Sequence, residues 1–230
     1  MRKFSRRQKE DRLKTENIIF SDIETAIEVL KQTSTVKFVE TAELHANLNI
    51  DPKYVDQQLR TTVTLPNGIG KSNRIAVLTT EANHNIAHTA GADIVGDEDL
   101  IEDISQGNVE FDLLLATPDV MPRLAKLGRM LGPKGLMPSP KSGTVTTSLT
   151  QCISEFKKGK FEYKADKLGI VHVSFGKTDF TNEQLVENLT FLSKSIKQNR
   201  PSGVKGKYFK SIFICTSMGP SLKLHTSIFE

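Results

Sequence analysis

The residues best suited to chemistry are cationic. No Asp or Glu occurs between Asp119 and Glu155, whereas Arg123, Lys126, Arg129, Lys134 and Lys141 fall within that interval. Gly128, Gly132, Gly135 and Gly143 alternate with Pro122, Pro133, Pro138 and Pro140. Glycine admits backbone angles other residues avoid, and proline fixes one angle and removes a donor. The stretch 120–147 therefore reads as a shaped loop carrying an anion site. A second cationic group, Lys164, Asp166 and Lys167, flanks a glycine turn at Gly169, with His172 beyond it. A third comprises Lys205, Lys207 and Lys210. Such side chains suit phosphate contacts, while backbone groups, hydroxyls and aromatic faces read RNA shape and 2′-hydroxyls.

Catalytic constellations are weaker. The run 65–72, LPNGIGKS, ends like a phosphate-binding loop, but Leu65 stands where that motif begins with glycine. It also precedes a strand pattern instead of following one, so it reads as a linker. His84 and His88 are spaced one helical turn apart, as in zinc peptidases, yet Asn85 occupies the place of the catalytic Glu. A solvated helix face accounts for them. Cys152 lies in an amphipathic helical pattern, where a small core hydrophobe is expected. The expectation is no enzyme, no metal and no cofactor. The competing reading is a nucleotide-dependent enzyme built on the middle of the chain. It would need a Gly-rich turn after the first strand there, where Thr79-Thr80-Glu81-Ala82-Asn83 stands instead.

The totals agree with a binding role. The 230 residues carry a net charge of +4. Residues 1–67 and 160–230 together hold 22 Lys and Arg against 16 Asp and Glu; residues 68–159 hold 9 against 11. Cations therefore concentrate in the two ends, which suggests a polyanion partner for a body made from both. Two cysteines argue against a disulfide framework and favour a reducing compartment. No apolar run is long enough to span a membrane. The start, MRKFSRRQKEDRLK, is expected to be a basic arm, not a secretory signal.

Elements follow from periodicity. Ser21 and Glu24 make a capping box for a helix carrying Ile23, Ala26, Ile27 and Leu30 on one face. Residues 36–48 read as a strand with Ala42, Leu44, Ala46 and Leu48 inward. Glu40 interrupts that set, and a bulge or strand end near it would leave Phe38 exposed. From about Gly68 strand and helix alternate, one helix entering at Pro118 and running to about Leu127, which argues a parallel sheet covered on both sides. After Gly159 the pattern becomes paired strands: 161–164 and 170–175 form a hairpin around Gly169, and Thr181 with Gln184 caps a long helix. Neither end has enough strands for its own sheet, so pairing the ends and inserting the middle is the economical solution. The expected fold class is α/β: an α+β domain I (1–67 plus 160–230) and an inserted Rossmann-like, three-layer α/β domain II (68–159). The two domains would be joined by two hinge strands.

Three stretches carry a resemblance. KLGRMLGPKGLMPSPKSGTV (126–145), VKFVETAELHANLNIDPK (36–53) and CTSMGPS (215–221) resemble the large-subunit ribosomal protein one family of bacterial type. Further stretches resemble its cyanobacterial and plastid branch. The resemblance implies a constituent of the large ribosomal subunit, with domain I binding the mobile stalk of its rRNA near the tRNA exit site. It implies help in releasing deacylated tRNA from that site, and, as in bacterial members, repression of translation of its own mRNA through an rRNA-like leader. Carried over by motif, the rRNA-binding residues are Lys37, Phe38, Thr41, Thr216, Ser217, Met218 and Gly219, with Lys164, Asp166, Lys167, Gly169 and His172 as additions. Arg123, Lys126, Arg129, Lys134 and Lys141 are then a secondary RNA contact. The expected place is the ribosome of a plastid stroma, the alternative a bacterial cytoplasm.

Overall fold

A computed structural model describes residues 5–15 and 18–229. The first four residues of the basic arm lie outside these; Arg6–Thr15 form helix α1. Among the described residues no helix is long and apolar enough to cross a membrane. The chain divides into two compact units, one running up to Gly70 and resuming at Tyr163, the other Lys71–Glu162. The sequence suggests these breaks at 67/68 and 159/160.

The first unit is built on a five-stranded sheet drawn from both chain ends. Its order is β1 (Ile19–Phe20), β10 (Leu222–Leu224), β9 (Phe209–Thr216), β2 (Thr41–Leu48), β8 (Ile170–Lys177). β2 lies between β9 and the edge strand β8, antiparallel to both. Its alternation is strict: Ala42, Leu44, Ala46 and Leu48 are buried and the residues between them half-exposed. Helices α2 (Ile23–Thr33) and α8 (Asn182–Gln198) pack against each other and against this sheet. Ala26, Ile27 and Leu30 of α2 and Leu185, Leu189, Leu192 and Ile196 of α8 are fully buried, as are Phe175, Ile212 and Ile214 of the sheet. Burying such side chains is worth about 1.5–3 kcal/mol each before entropy is counted.

Local chemistry corrects several expectations. The cap of α2 is Asp22, not Ser21: its carboxylate accepts the Thr25 N–H at 3.2 Å. Thr181 and Gln184 do form the capping box of α8. The strand expected over 36–48 begins only at Thr41. β7 (Lys160–Lys164) and β8 do not form a regular hairpin. β7 pairs with β3 (Arg60–Thr64) in a separate two-stranded sheet, and only an isolated bridge, Ala165 to Val171, joins the two arms of the turn. Asn188 is wholly buried on α8. Its amide donates to Gly68 O (3.0 Å) and Phe175 O (2.8 Å) and accepts the Asn67 N–H (3.2 Å). The turn at Asn67–Gly68 is thereby held to the helix by a buried polar group with its partners in place.

The second unit is a three-layer arrangement. Its parallel sheet has the order β5 (Ile94–Gly96), β4 (Ile75–Leu78), β6 (Leu113–Ala116). Ile75, Val77 and Leu115 face one side with Ala87 of α3 (His84–Thr89) and Leu149, Ile153 and Phe156 of α7 (Leu149–Lys157). Ala76, Leu78 and Leu114 face the other with Leu100 and Ile104 of α4 (Glu98–Gln106) and with Leu124, Leu127 and Leu131. Strands buried on both faces are apolar throughout, as β4 is. Cys152 is a buried member of the first layer, and burial pushes its thiol above the usual range.

The helix expected from Pro118 to about Leu127 is present and helical structure continues to Lys134, into what was expected to be loop. Met121–Leu124 is helix α5, Ala125–Leu127 a 3₁₀ turn and Gly128–Lys134 helix α6. Leu124, Leu127 and Leu131 recur every three or four residues and are buried. Pro133 sits in the last turn of α6, and Gly135 ends it at φ 73°. The shaped loop is the short remainder. Within it the Ser139 N–H donates to Thr144 Oγ1 at 2.8 Å and the Ser142 hydroxyl to Ser139 O at 3.0 Å.

Candidate nucleic-acid interface

Glu40 organises the candidate site in the first unit. Its side chain is buried to 1% exposure, and its carboxylate joins two segments. Oε1 accepts the Met218 N–H at 2.7 Å, and Oε2 accepts the Ser34 hydroxyl. The Glu40 N–H donates to Thr178 Oγ1 at 3.1 Å, and its carbonyl accepts from the Thr178 N–H at 3.0 Å. Beside it the Ser217 N–H donates to Thr41 O at 3.1 Å, and the Thr41 N–H to Ser217 Oγ at 3.2 Å. The loop before β2 and the turn after β9 are therefore fastened together by groups that share one carboxylate and one hydroxyl.

Fastening the backbone turns side chains outward. Phe38 is 55% exposed and Met218 56%, with Lys37 and Val39 also exposed. A groove of about 300 Å³ runs between Val36, Lys37, Phe38, Val39 and the residues Lys31, Ser34, Thr178 and Asp179. Gly219 packs closely here: a Cβ would lie 2.2 Å from Thr216 Oγ1, so a side chain at this position requires the Thr216 hydroxyl to move. Helix α1 reaches the same turn, Arg7 donating to Met218 O at 3.2 Å.

Two of the residues expected to contact rRNA, Thr216 by motif and Gly169 as an addition, are buried. Thr216 is 1% exposed, and its hydroxyl is buried without a hydrogen-bond partner beneath Gly219. It positions the turn and presents no surface. Gly169 is also buried, at φ 79°, where a Cβ would press on Ile50 and on the Leu48 carbonyl. It serves the turn geometry that only glycine adopts without strain.

The 164–172 turn brings its own charges. Lys164, Lys167 and His172 are exposed, and Lys164 and Lys167 line a depression of about 290 Å³ with Arg60 and Gln58. Asp166 is committed locally: Oδ1 accepts the N–H groups of Leu168 (2.9 Å) and Ile170 (2.8 Å), and the Ile170 bond leads in holding its carboxyl below the usual range. In the second unit Arg123 is engaged by Asp97 (3.3 Å) and Glu98 (3.2 Å). Lys126, Arg129, Lys134 and Lys141 stand exposed. His84 of the helical pair directs Nε2 at Thr79 O, 3.1 Å away, which answers for it without a metal.

An α/β protein with an exposed aromatic, an exposed thioether and lysines on fastened loops presents a surface for binding. The model of the Ribosomal protein L1p/L10e family matches residues 30–220. The chain is 72% identical over 229 residues to the large ribosomal subunit protein uL1c of Trieres chinensis, covering all of both chains. It is 56% identical over 224 residues to the large ribosomal subunit protein uL1 of Prochlorococcus marinus (strain MIT 9215), covering 97% of this chain and 95% of that one. To the uL1c of Rhodomonas salina it is 56% identical over 230 residues, 100% of this chain and 98% of that one. The chain belongs to the ribosomal protein L1p/L10e family, a family of ribosomal proteins and not of enzymes.

Proposed function

We propose that this chain is a structural constituent of the large ribosomal subunit that binds the mobile stalk of its rRNA and assists release of deacylated tRNA from the exit site. The compartment is the plastid: relatives from Trieres chinensis, Phaeodactylum tricornutum, Rhodomonas salina and Guillardia theta bear the name uL1c. The RNA-binding body is the discontinuous one, 1–67 with 160–230, and the inserted Rossmann-like body contributes at most a secondary contact. The observation that carries this reading is the Glu40 junction. It presents Phe38 and Met218 to a base or sugar while Gly219 and Ser217 offer backbone and hydroxyl. Lys37, Lys164, Lys167 and His172 supply phosphate contacts. Repression of its own mRNA is the second activity proposed for this surface, through a leader that mimics the stalk.

The test is binding of the full chain to an rRNA stalk fragment, with the mRNA leader as competitor. Affinity should fall with salt at a log–log slope of about −0.7 to −0.9 per phosphate neutralised. Equal affinity for an unrelated RNA hairpin of the same length would sink the stalk reading. A leader that fails to compete would sink autoregulation alone.

A further inference from the structure

The face of the five-stranded sheet turned away from α2 and α8 brings together donors that are far apart in sequence. Glu43 and His45 stand two residues apart on β2. Cys215 lies opposite Glu43 on β9, and His172 opposite His45 on β8. His45 Nε2 is 3.1 Å from Cys215 Sγ and 3.7 Å from Glu43 Oε2. One donor atom from each of the three lies within 4.8 Å of the others. A tetrahedral ion with bonds of about 2.0–2.3 Å spaces its donors about 3.5 Å apart, so small rotations suffice.

The second ring nitrogen of His45 is placed to hold the ring. Its Nδ1 is 2.8 Å from His172 Nδ1, and His172 Nε2 is 3.7 Å from Asp166 Oδ2. With Nδ1–H donated to His172, the Nε2 lone pair is left for the space between Cys215 and Glu43. Metal-bound imidazoles are ordinarily held by such a partner, which fixes ring and tautomer.

We propose that Glu43, His45 and Cys215 bind a divalent transition-metal ion of zinc type, with His172 as a positioning residue. Imidazole, thiolate and carboxylate suit zinc-like ions and not magnesium or calcium, which require an oxygen shell. Three protein donors leave the fourth position to water. Without an ion, burial and the nearby Glu43 and Glu40 push the Cys215 thiol up to about 11. A dication reverses the sign of that local field, so the thiol proton leaves to solvent as the metal–sulfur bond forms. Burial, then His172, keeps His45 below its ordinary value. None of this depends on the rRNA reading.

Titrating the full chain with Co²⁺ reads the site directly. One equivalent should produce a thiolate-to-cobalt charge-transfer absorption that Zn²⁺ abolishes. Cys215→Ser should remove the band, Cys152→Ser should leave it, and His172→Gln should weaken affinity about tenfold or more with the band intact. Should Cys215→Ser fail to fold, alkylation of the unaltered chain decides. Zn²⁺ should protect Cys215 and not Cys152, as read by peptide mass spectrometry. Absence of the band in the unaltered chain, its survival in folded Cys215→Ser, or equal alkylation of Cys215 with and without Zn²⁺ overturns the proposal.

Discussion

The Glu40 junction and the stretch 120–147 make opposite use of their sequences. The second is rich in glycine, proline and cations, yet most of it is helix, its leucines are buried, and Arg123 is matched by Asp97 and Glu98. The first is an ordinary-looking KFVET and TSMG, separated by about 180 residues of chain, and it assembles a shared carboxylate, an exposed aromatic and a turn packed closely on the Thr216 hydroxyl. Compositional prominence thus tracks how a segment folds. The proposed binding surface comes from what two unremarkable segments do to each other.

The sharpest way to break that contrast is to compare losses of rRNA affinity. Met218→Asp removes an exposed thioether and adds a charge facing phosphates, and should weaken binding to the stalk fragment by about 100-fold, or 2.7 kcal/mol. Neutralising Lys126, Arg129, Lys134 and Lys141 together should cost about tenfold at low salt and flatten the salt dependence. If filter binding at one fixed salt ranks the quadruple variant worse, the contrast is reversed.

Next in size is the junction itself. Glu40→Ala leaves the Met218 N–H and the Ser34 hydroxyl without their acceptor, and should destabilise the chain by about 1–3 kcal/mol in urea unfolding. Its rRNA affinity should fall as well, since the turn is no longer fastened; unchanged stability would show that the carboxylate is dispensable. Asp166→Ala, which removes the acceptor for the Leu168 and Ile170 N–H groups, should cost about 1 kcal/mol. Thermal unfolding would register it as a lower midpoint. Smallest of all, Arg123→Ala breaks two exposed ion pairs and should change stability by about 0–1 kcal/mol. A larger shift would mean that the cations of the second unit hold its fold together, and are even less free for an anion than described.

Elements with a strong period were legible: β2 by its alternation, α8 by its capping box and leucines, β4 and β6 by continuous apolarity. The misreadings have physical causes. Glycines and prolines in 128–134 suggested that the helix entered at Pro118 gives way to loop near Leu127, but Leu131 extends the apolar stripe of Leu124 and Leu127, Pro133 forgoes one hydrogen bond in the last turn only, and Gly135 ends the helix. The 165–169 turn looked like a hairpin because turn chemistry is local, whereas strand choice is decided by partners elsewhere, here β3 and β2. Phe38, Met218 and the motif around them could be named from resemblance. That Glu40 fastens them could not, because nothing in the sequence marks a buried glutamate as an acceptor for residue 218. The Glu43–His45–Cys215 group is invisible for the same reason: one donor lies 170 residues from another.

The place of β2 between β8 and β9 has a consequence for synthesis. Its neighbours arrive late, His172 lying 127 residues beyond His45 and Cys215 170 residues beyond it. Translation therefore releases the strand and its apolar face long before anything can cover them, while the parallel sheet of the second unit draws its three strands from one continuous interval. Long-range pairing must wait on loop closure, so the inserted unit completes first and the waiting N-terminal segment is the portion of the nascent chain most exposed to mispairing.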